Sequence, residues 1–221
     1  MSTTIPSPPL ADVSGMFVIH RAFRREFGML PTLIRNVAAS DTARAEVVAA
    51  HLDLVLAGLH MHHTGEDEVL WPLLLQRQAP SSDLVATMQA QHDGIDVYAD
   101  QVVLLSAQWR KSAWPVRGEQ LARVIEKFRE SLLEHLALEE DEILPLAARC
   151  VTAAEWDSMG SHGIEVMTKA QRPLLFGAIL EEADAREREM MLAGLPRIVR
   201  LLLTTVGRVQ YGRYISRVRG A

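Results

Sequence analysis

The chain has 221 residues, of which 48% are hydrophobic and 23% charged, a balance that suits one large globular domain with or without an extension and excludes disordered and collagen-like chains. Its single cysteine, Cys150, excludes an intrachain disulfide and any thiolate-rich zinc or iron–sulfur site. A metal would therefore be held by nitrogen and oxygen, and a reducing cytoplasm is the expected compartment. The net charge of −5 conceals a division: residues 190–221 contain six arginines and no acid, which leaves −11 on residues 1–189, where all eight histidines lie.

In chain order, residues 1–13 include Pro6, Pro8 and Pro9 and are expected to form a disordered N-terminal arm. The opening MSTTIPSPPLADVSG lacks the basic and apolar regions of a secretory signal, and no stretch of about 18 uncharged apolar residues could span a bilayer, so no transmembrane segment is expected. From Ser14 onward, apolar residues recur at helical spacing. One stripe runs Phe17, His20, Phe27 and Leu30, and a second runs Val48, Leu52, Val55, Leu59, His62, Glu66 and Leu70. A third runs Leu84, Met88, His92, Ile95 and Val102, and a fourth runs Leu121, Ile125, Phe128, Leu132, His135, Glu139 and Ile143. Turn material at Pro80-Ser81-Ser82-Asp83 and Trp114-Pro115-Val116-Arg117-Gly118 separates them. The predicted fold is all-α: an antiparallel four-helix bundle over residues 14–150 and a C-terminal helical extension over residues 151–221. The extension reads as two or three helices, at 164–183 and 186–218, broken near Pro173 and Gly194-Leu195-Pro196.

A bundle core favours leucine and valine, yet all four stripes carry a histidine and two carry a glutamate. An internal repeat sharpens this anomaly. A shift of 73 residues lays His62-x-x-x-Glu66, with its Trp71-Pro72-Leu73, on His135-x-x-x-Glu139, with its Leu144-Pro145-Leu146. His20 lies 42 residues before His62 and His92 lies 43 before His135, so one helix pair is written twice and its halves are expected to face each other about a pseudo-twofold axis. Residues four apart on a helix differ by about 40° in azimuth, so each histidine–glutamate pair shares a face. Four histidines and two glutamates then converge: His20, His62, Glu66, His92, His135 and Glu139. Such a set suits a dinuclear centre with bridging glutamates and capping histidines, and its thiolate-free chemistry favours iron or manganese over structural zinc. An open position on iron would permit chemistry with dioxygen, peroxide or nitric oxide. The competing reading, six buried polar groups that merely bond one another, requires an improbable coincidence across the repeat.

These residues, with the flanking phrases HHTGEDEVLWPLL and HLALEEDEILPLA, resemble the hemerythrin-like (HHE cation-binding) family over residues 14–150. The resemblance implies a four-helix bundle around two non-haem iron ions, oxo- or hydroxo-bridged, with the same six residues as ligands. The family's oxygen carriers place a further histidine four residues after the third one, where this chain has Asp96, and their last carboxylate five residues after the histidine, where it has Glu140. The resemblance therefore points away from oxygen storage and toward oxidative or nitrosative stress, with a diatomic molecule or peroxide as ligand; any enzymatic activity would be that of a di-iron oxidoreductase consuming peroxide. The internal repeat favours Glu139 over Glu140. The alternative function is a non-catalytic metal- or redox-sensing interaction module that acts through the C-terminal basic helices.

The remaining histidines carry less. His60 is expected at the surface, His63 on the flank of the site, His51 in the core or at the surface about 16 Å away, and His162 in a turn-like Gly160-Ser161-His162-Gly163. Asp96 is as readily a plain surface acid as an extra ligand or an acceptor that orients His92, and the acidic runs around Asp67 and Glu140 are by default a solvated face, alternatively a cation entry path or partners that orient the histidines. In the extension, Arg197, Arg200, Arg208, Arg213, Arg217 and Arg219 alternate with apolar residues. This basic amphipathic stretch is expected to dock on the chain's own acidic bundle or a second subunit, with an anionic membrane surface or an acidic partner as the alternative and no nucleic acid.

Overall fold

The computed structural model describes residues 8–77, 82–166 and 168–220, with the side chains of residues 160–166 outside the description. Among the described residues it is all-helical. Helix α1 (Ser14–Arg35), α2 (Thr42–Gly65), α4 (Ser82–Trp109) and α5 (Pro115–Leu138) are the four long segments. Their starts have local causes: Asp41 accepts from the Arg44 N–H at 2.9 Å to cap α2, and Pro115, which has no N–H to leave unpaired, opens α5. Helices α1 and α2, α1 and α5, α2 and α4, and α4 and α5 pack against each other.

The rods that begin with α2 and α5 continue as α3 (Trp71–Arg77) and α6 (Leu144–Cys150), and each passes through one π turn, Glu66–Leu70 and Glu139–Ile143. The sequence explains both. Pro72 and Pro145 lack an N–H, and their rings would press on the carbonyls of Glu68 and Asp141, four residues back, in a regular helix. The ladder widens by one residue instead, with the Trp71 N–H bonded to the Glu66 carbonyl and the Leu144 N–H to that of Glu139.

Two apolar layers enclose this region. One, with Phe27, Leu52, Leu59, Ile95, Phe128, Leu132 and Leu136, fills the space among α1, α2, α4 and α5. The other, with Leu70, Trp71, Leu74, Met88, Ile143 and Ala147, lies beyond the π turns. The histidines and glutamates sit between them, in a layer from which water is excluded.

After Cys150 come α7 (Ala153–Val166), α8 (Arg172–Glu182), α9 (Ala185–Ala193), α10 (Arg197–Leu202) and α11 (Arg208–Arg219), the last two joined through a π turn at Leu203–Gly207. Pro173 does not break a helix as expected; it sits in the first turn of α8, where a proline costs nothing. Gly160–Gly163, expected as a turn, continues α7, and the His162 side chain lies outside the described residues. So do Pro80 and Ser81 of the expected turn and residues 1–7 of the expected arm. The rest of that arm is tied down: Leu10 forms an isolated bridge with Thr152, and the Ala11 N–H donates to the Val151 carbonyl at 2.9 Å.

The extension packs on α1 and α2, and in several of the ion pairs between them the basic partner belongs to the bundle. These pairs run from Arg21 to Glu187 and from Arg25 to Glu181 and Glu182. Arg197, Arg200, Arg208, Arg213 and Arg217 are exposed, while Arg219 pairs with Glu181 inside the extension. No helix among the described residues is long and apolar enough to cross a membrane.

Candidate metal centre

His20, His62, Glu66, His92, His135 and Glu139 come together in the buried layer. Their ligand atoms form two overlapping groups, His20 with His62, Glu66 and Glu139, and His63 with Glu66, His92 and His135; within each the atoms lie within 4.8 Å of one another, and Glu66 belongs to both. Its Oε1 is 3.1 Å from His62 Nε2 and its Oε2 is 3.3 Å from His92 Nε2. Glu139 Oε2 lies 3.2 Å from His20 Nε2 and 3.9 Å from His135 Nε2.

The second nitrogen of each ring fixes what the inner one offers. His20 Nδ1 donates to Glu140 at 2.9 Å, His92 Nδ1 to Asp67 at 3.0 Å, and His135 Nδ1 to Gln91 at 3.2 Å. A neutral ring held in this way turns the lone pair of its Nε2 to the interior. His92 Nε2 and His135 Nε2 consequently face one another at 3.3 Å, lone pair to lone pair. His20 Nε2, His62 Nε2 and all four carboxylate oxygens of Glu66 and Glu139 are buried without a hydrogen-bond partner. Lone pairs converging in this way are costly unless protons or cations lie between them, and a set of borderline nitrogen and hard oxygen donors can hold metal such as iron.

Electrostatics divide these groups in the metal-free cluster into neutral imidazoles and groups that hold protons. Burial and neighbouring imidazoles push His62 and His135 down to about 3, so both rings are neutral. Burial and the facing Glu139 carboxylate hold Glu66 well above the ordinary range. For His20, burial works downward but Glu139 and Glu140 outweigh it and raise the ring; for Glu139, burial works upward but His20 prevails and lowers it.

Several readings from sequence change here. His63, expected on the flank, is buried, with its ring stacked on His92 at a centroid distance of 4.0 Å, and neither of its nitrogens has a partner. The missed signal is its spacing from Glu66: His62 lies about 40° to one side of that glutamate around the helix and His63 about 60° to the other, at four and three residues respectively. Asp96 is exposed and lies outside both groups. Glu140 points away from the interior to orient His20, as Asp67 orients His92, so the residue after each inner glutamate supports a histidine of the opposite half. His60 is exposed; His51 is buried and pairs with Glu26 at 3.0 Å and Tyr214 at 2.9 Å.

The family model of the hemerythrin HHE cation binding domain matches residues 13–147. The chain belongs to that family. Among curated proteins this hemerythrin-domain chain is similar to the iron–sulfur cluster repair protein YtfE of Yersinia pestis (strain Pestoides F) and to the protein of that name from Yersinia pseudotuberculosis serotype O:1b (strain IP 31758). Each is 26% identical over 145 residues, 60% of this chain and 64% of the relative. The similarity thus spans less than two thirds of those relatives' length. No solved structure matches the chain.

Proposed function

We propose that the chain is a non-haem di-iron protein that binds or reacts with dioxygen, peroxide or nitric oxide in the response to oxidative or nitrosative stress. The observation that carries this reading is the buried convergence of unpartnered imidazole nitrogens and carboxylate oxygens on two overlapping groups. We read α1, α2, α4 and α5 as an antiparallel four-helix bundle over residues 14–150, with residues 151–221 as its extension. His20, His62 and Glu139 would hold one iron, His92 and His135 the other, and Glu66 would link them. When bound, the pair supplies one-electron redox chemistry and a position for a small ligand. The chain itself does the rest: Glu140, Asp67 and Gln91 hold the Nδ1 protons and so aim the Nε2 lone pairs, while the apolar layers on both sides keep water out. The relatives' printed role, repair of iron–sulfur clusters, supports a place in iron chemistry under stress.

Iron-replete expression should give about two irons per chain, with near-ultraviolet absorption of an oxo-bridged diferric pair; fewer than about half an iron per chain would remove the basis of the proposal.

A second reading, a metal- or redox-sensing interaction module, is favoured by one contact. Helix α7 packs on α2 and on the π turn that starts at Glu66, so a change at that glutamate bears directly on the extension. Deleting residues 151–221 separates the two: peroxide turnover would survive in an enzyme, whereas a sensor would keep its spectrum and lose its partner.

A further inference from the structure

Resting on the di-iron reading, we propose that His63 is a seventh metal ligand. It would give the His92–His135 end three imidazoles, and the other end lies against an apolar cavity roofed by the C-terminal extension, which we read as the small ligand's path to the centre.

The first part follows from what His63 does not do. It is 4% exposed, and a buried imidazole normally satisfies at least one nitrogen, yet both of its nitrogens are without partners. Its ring lies against His92 and stands edge-on to His135 at 5.0 Å, and one of its nitrogens falls within the 4.8 Å group that contains Glu66, His92 and His135. The repeat offers no counterpart, because the residue after His135 is Leu136. The doubled helix pair therefore builds an unequal centre. Glu66 reaches both ends, and Glu139 spans 3.2 Å to His20 and 3.9 Å to His135. Each group then counts four donors, two imidazoles and two carboxylates at the His20–His62 end and three imidazoles with Glu66 at the other, so the ends differ in kind and not in number.

The second part follows from the wall beside the His20–His62 end. A cavity of about 530 Å³ lies between α1 and α2 on one side and the extension on the other, and its lining includes Phe23, Gly58, Met61, His62, Leu175 and Ile179. Native interiors close-pack, so an apolar space of this size serves passage or binding. Helix α8 supplies much of its roof, and although α8 reads RPLLFGAILEE, none of its residues is buried. Of the cavity's polar lining beyond His62, Glu26, His51 and Tyr214 are bonded to one another, and Arg172 already has a partner interaction. The space suits small uncharged diatomics that dissolve in hydrocarbon and disfavours hydrated anions.

The test loads full-length wild type, His63→Leu and His63→Gln with ⁵⁷Fe and records Mössbauer spectra and iron affinity against a competing chelator. Wild type should show two inequivalent irons in equal amount. His63→Leu should bind iron at least about 10-fold more weakly and alter the signal of one iron, while its metal-free melting temperature stays the same or rises, since leucine suits an apolar layer. The glutamine variant, close in size and polarity, guards against misfolding and should show the same loss. Unchanged affinity and spectra in both variants would overturn the ligand assignment, whereas a wild type that takes up no iron would instead overturn the di-iron reading. For access, Gly58→Leu projects into the cavity toward Leu175, whose Cδ2 would lie 2.9 Å from the new Cβ. Nitric oxide association with the iron-loaded protein should slow at least about 10-fold at unchanged iron content; an unchanged rate overturns the proposed path.

Discussion

Glu140 holds His20 by its outer nitrogen, Nδ1 to Oε1 at 2.9 Å, and is itself gripped by Arg24 through two hydrogen bonds of 2.6 and 3.0 Å. The guanidinium and the imidazole keep this carboxyl down at about 2 even though burial works against ionisation. Removing it frees the His20 ring to rotate and to carry its proton on the wrong nitrogen. Glu140→Ala should weaken iron binding about 10–100-fold with helix content unchanged, read by chelator competition and circular dichroism. Asp67→Ala, at the repeat-related position, should act alike through His92.

Much of the buried cluster was legible because the chain writes its histidine–glutamate pair twice. His62-x-x-x-Glu66 and His135-x-x-x-Glu139 share an offset and flanking prolines, and the residue that the repeat favours, Glu139, is the buried one, while Glu140 bonds the outer nitrogen of His20. His63 was missed because azimuth was measured from His62, although the stripe is centred on Glu66, to which both histidines are neighbours. The π turns were hidden for a related reason: Pro72 and Pro145 change the hydrogen-bond ladder but leave the apolar period almost intact. The docking of the extension could not be read from net charge, since which ions meet depends on the faces that pack, and here Arg21 and Arg25 of α1 meet glutamates of α8 and α9.

The layer between the site and the loops at the other end of the long helices depends on aromatic packing. Phe128 is fully buried, and its ring lies 4.7 Å from that of Phe27, also fully buried. Phe128→Ala should cost about 3–5 kcal/mol, measured by chemical denaturation of the metal-free protein, with Phe128→Leu costing much less.

The join between α8 and α11 depends on a missing side chain. A Cβ on Gly177 would lie 2.4 Å from Tyr211 Cγ and 2.7 Å from its Cβ, too close for the ring to escape by a small rotation. Gly177→Ala should therefore destabilise the extension by about 1–3 kcal/mol, despite the higher helix propensity of alanine. Limited proteolysis should cleave residues 168–220 faster while the optical spectrum of the loaded centre persists. Equal protection in the two proteins would show that α8 and α11 do not depend on this approach.

Acid should loosen the same region in a defined window. Glu26 is buried among Arg25, His51 and the Tyr214 ring; burial pushes its carboxyl up, but the His51 hydrogen bond and the Arg25 guanidinium prevail and lower it. Glu181, bonded to Arg219 and the Tyr211 hydroxyl, falls to about 2 from an ordinary 4.5. A carboxyl that titrates lower in the folded state than in the unfolded one confers stability that is complete above its unfolded value, and that stability drains away as the pH falls through the folded value. Attachment of the extension should accordingly hold constant above about pH 5 and weaken progressively from about pH 4.5 toward pH 2, followed by hydrogen exchange in α8 and α11. Glu26→Gln should remove part of that slope below about pH 4.5 and lower the protection of α11 at neutral pH, because the uncharged amide leaves Arg25 without its buried counter-ion. A slope unchanged by Glu26→Gln would locate the acid sensitivity in the Glu181 cluster alone.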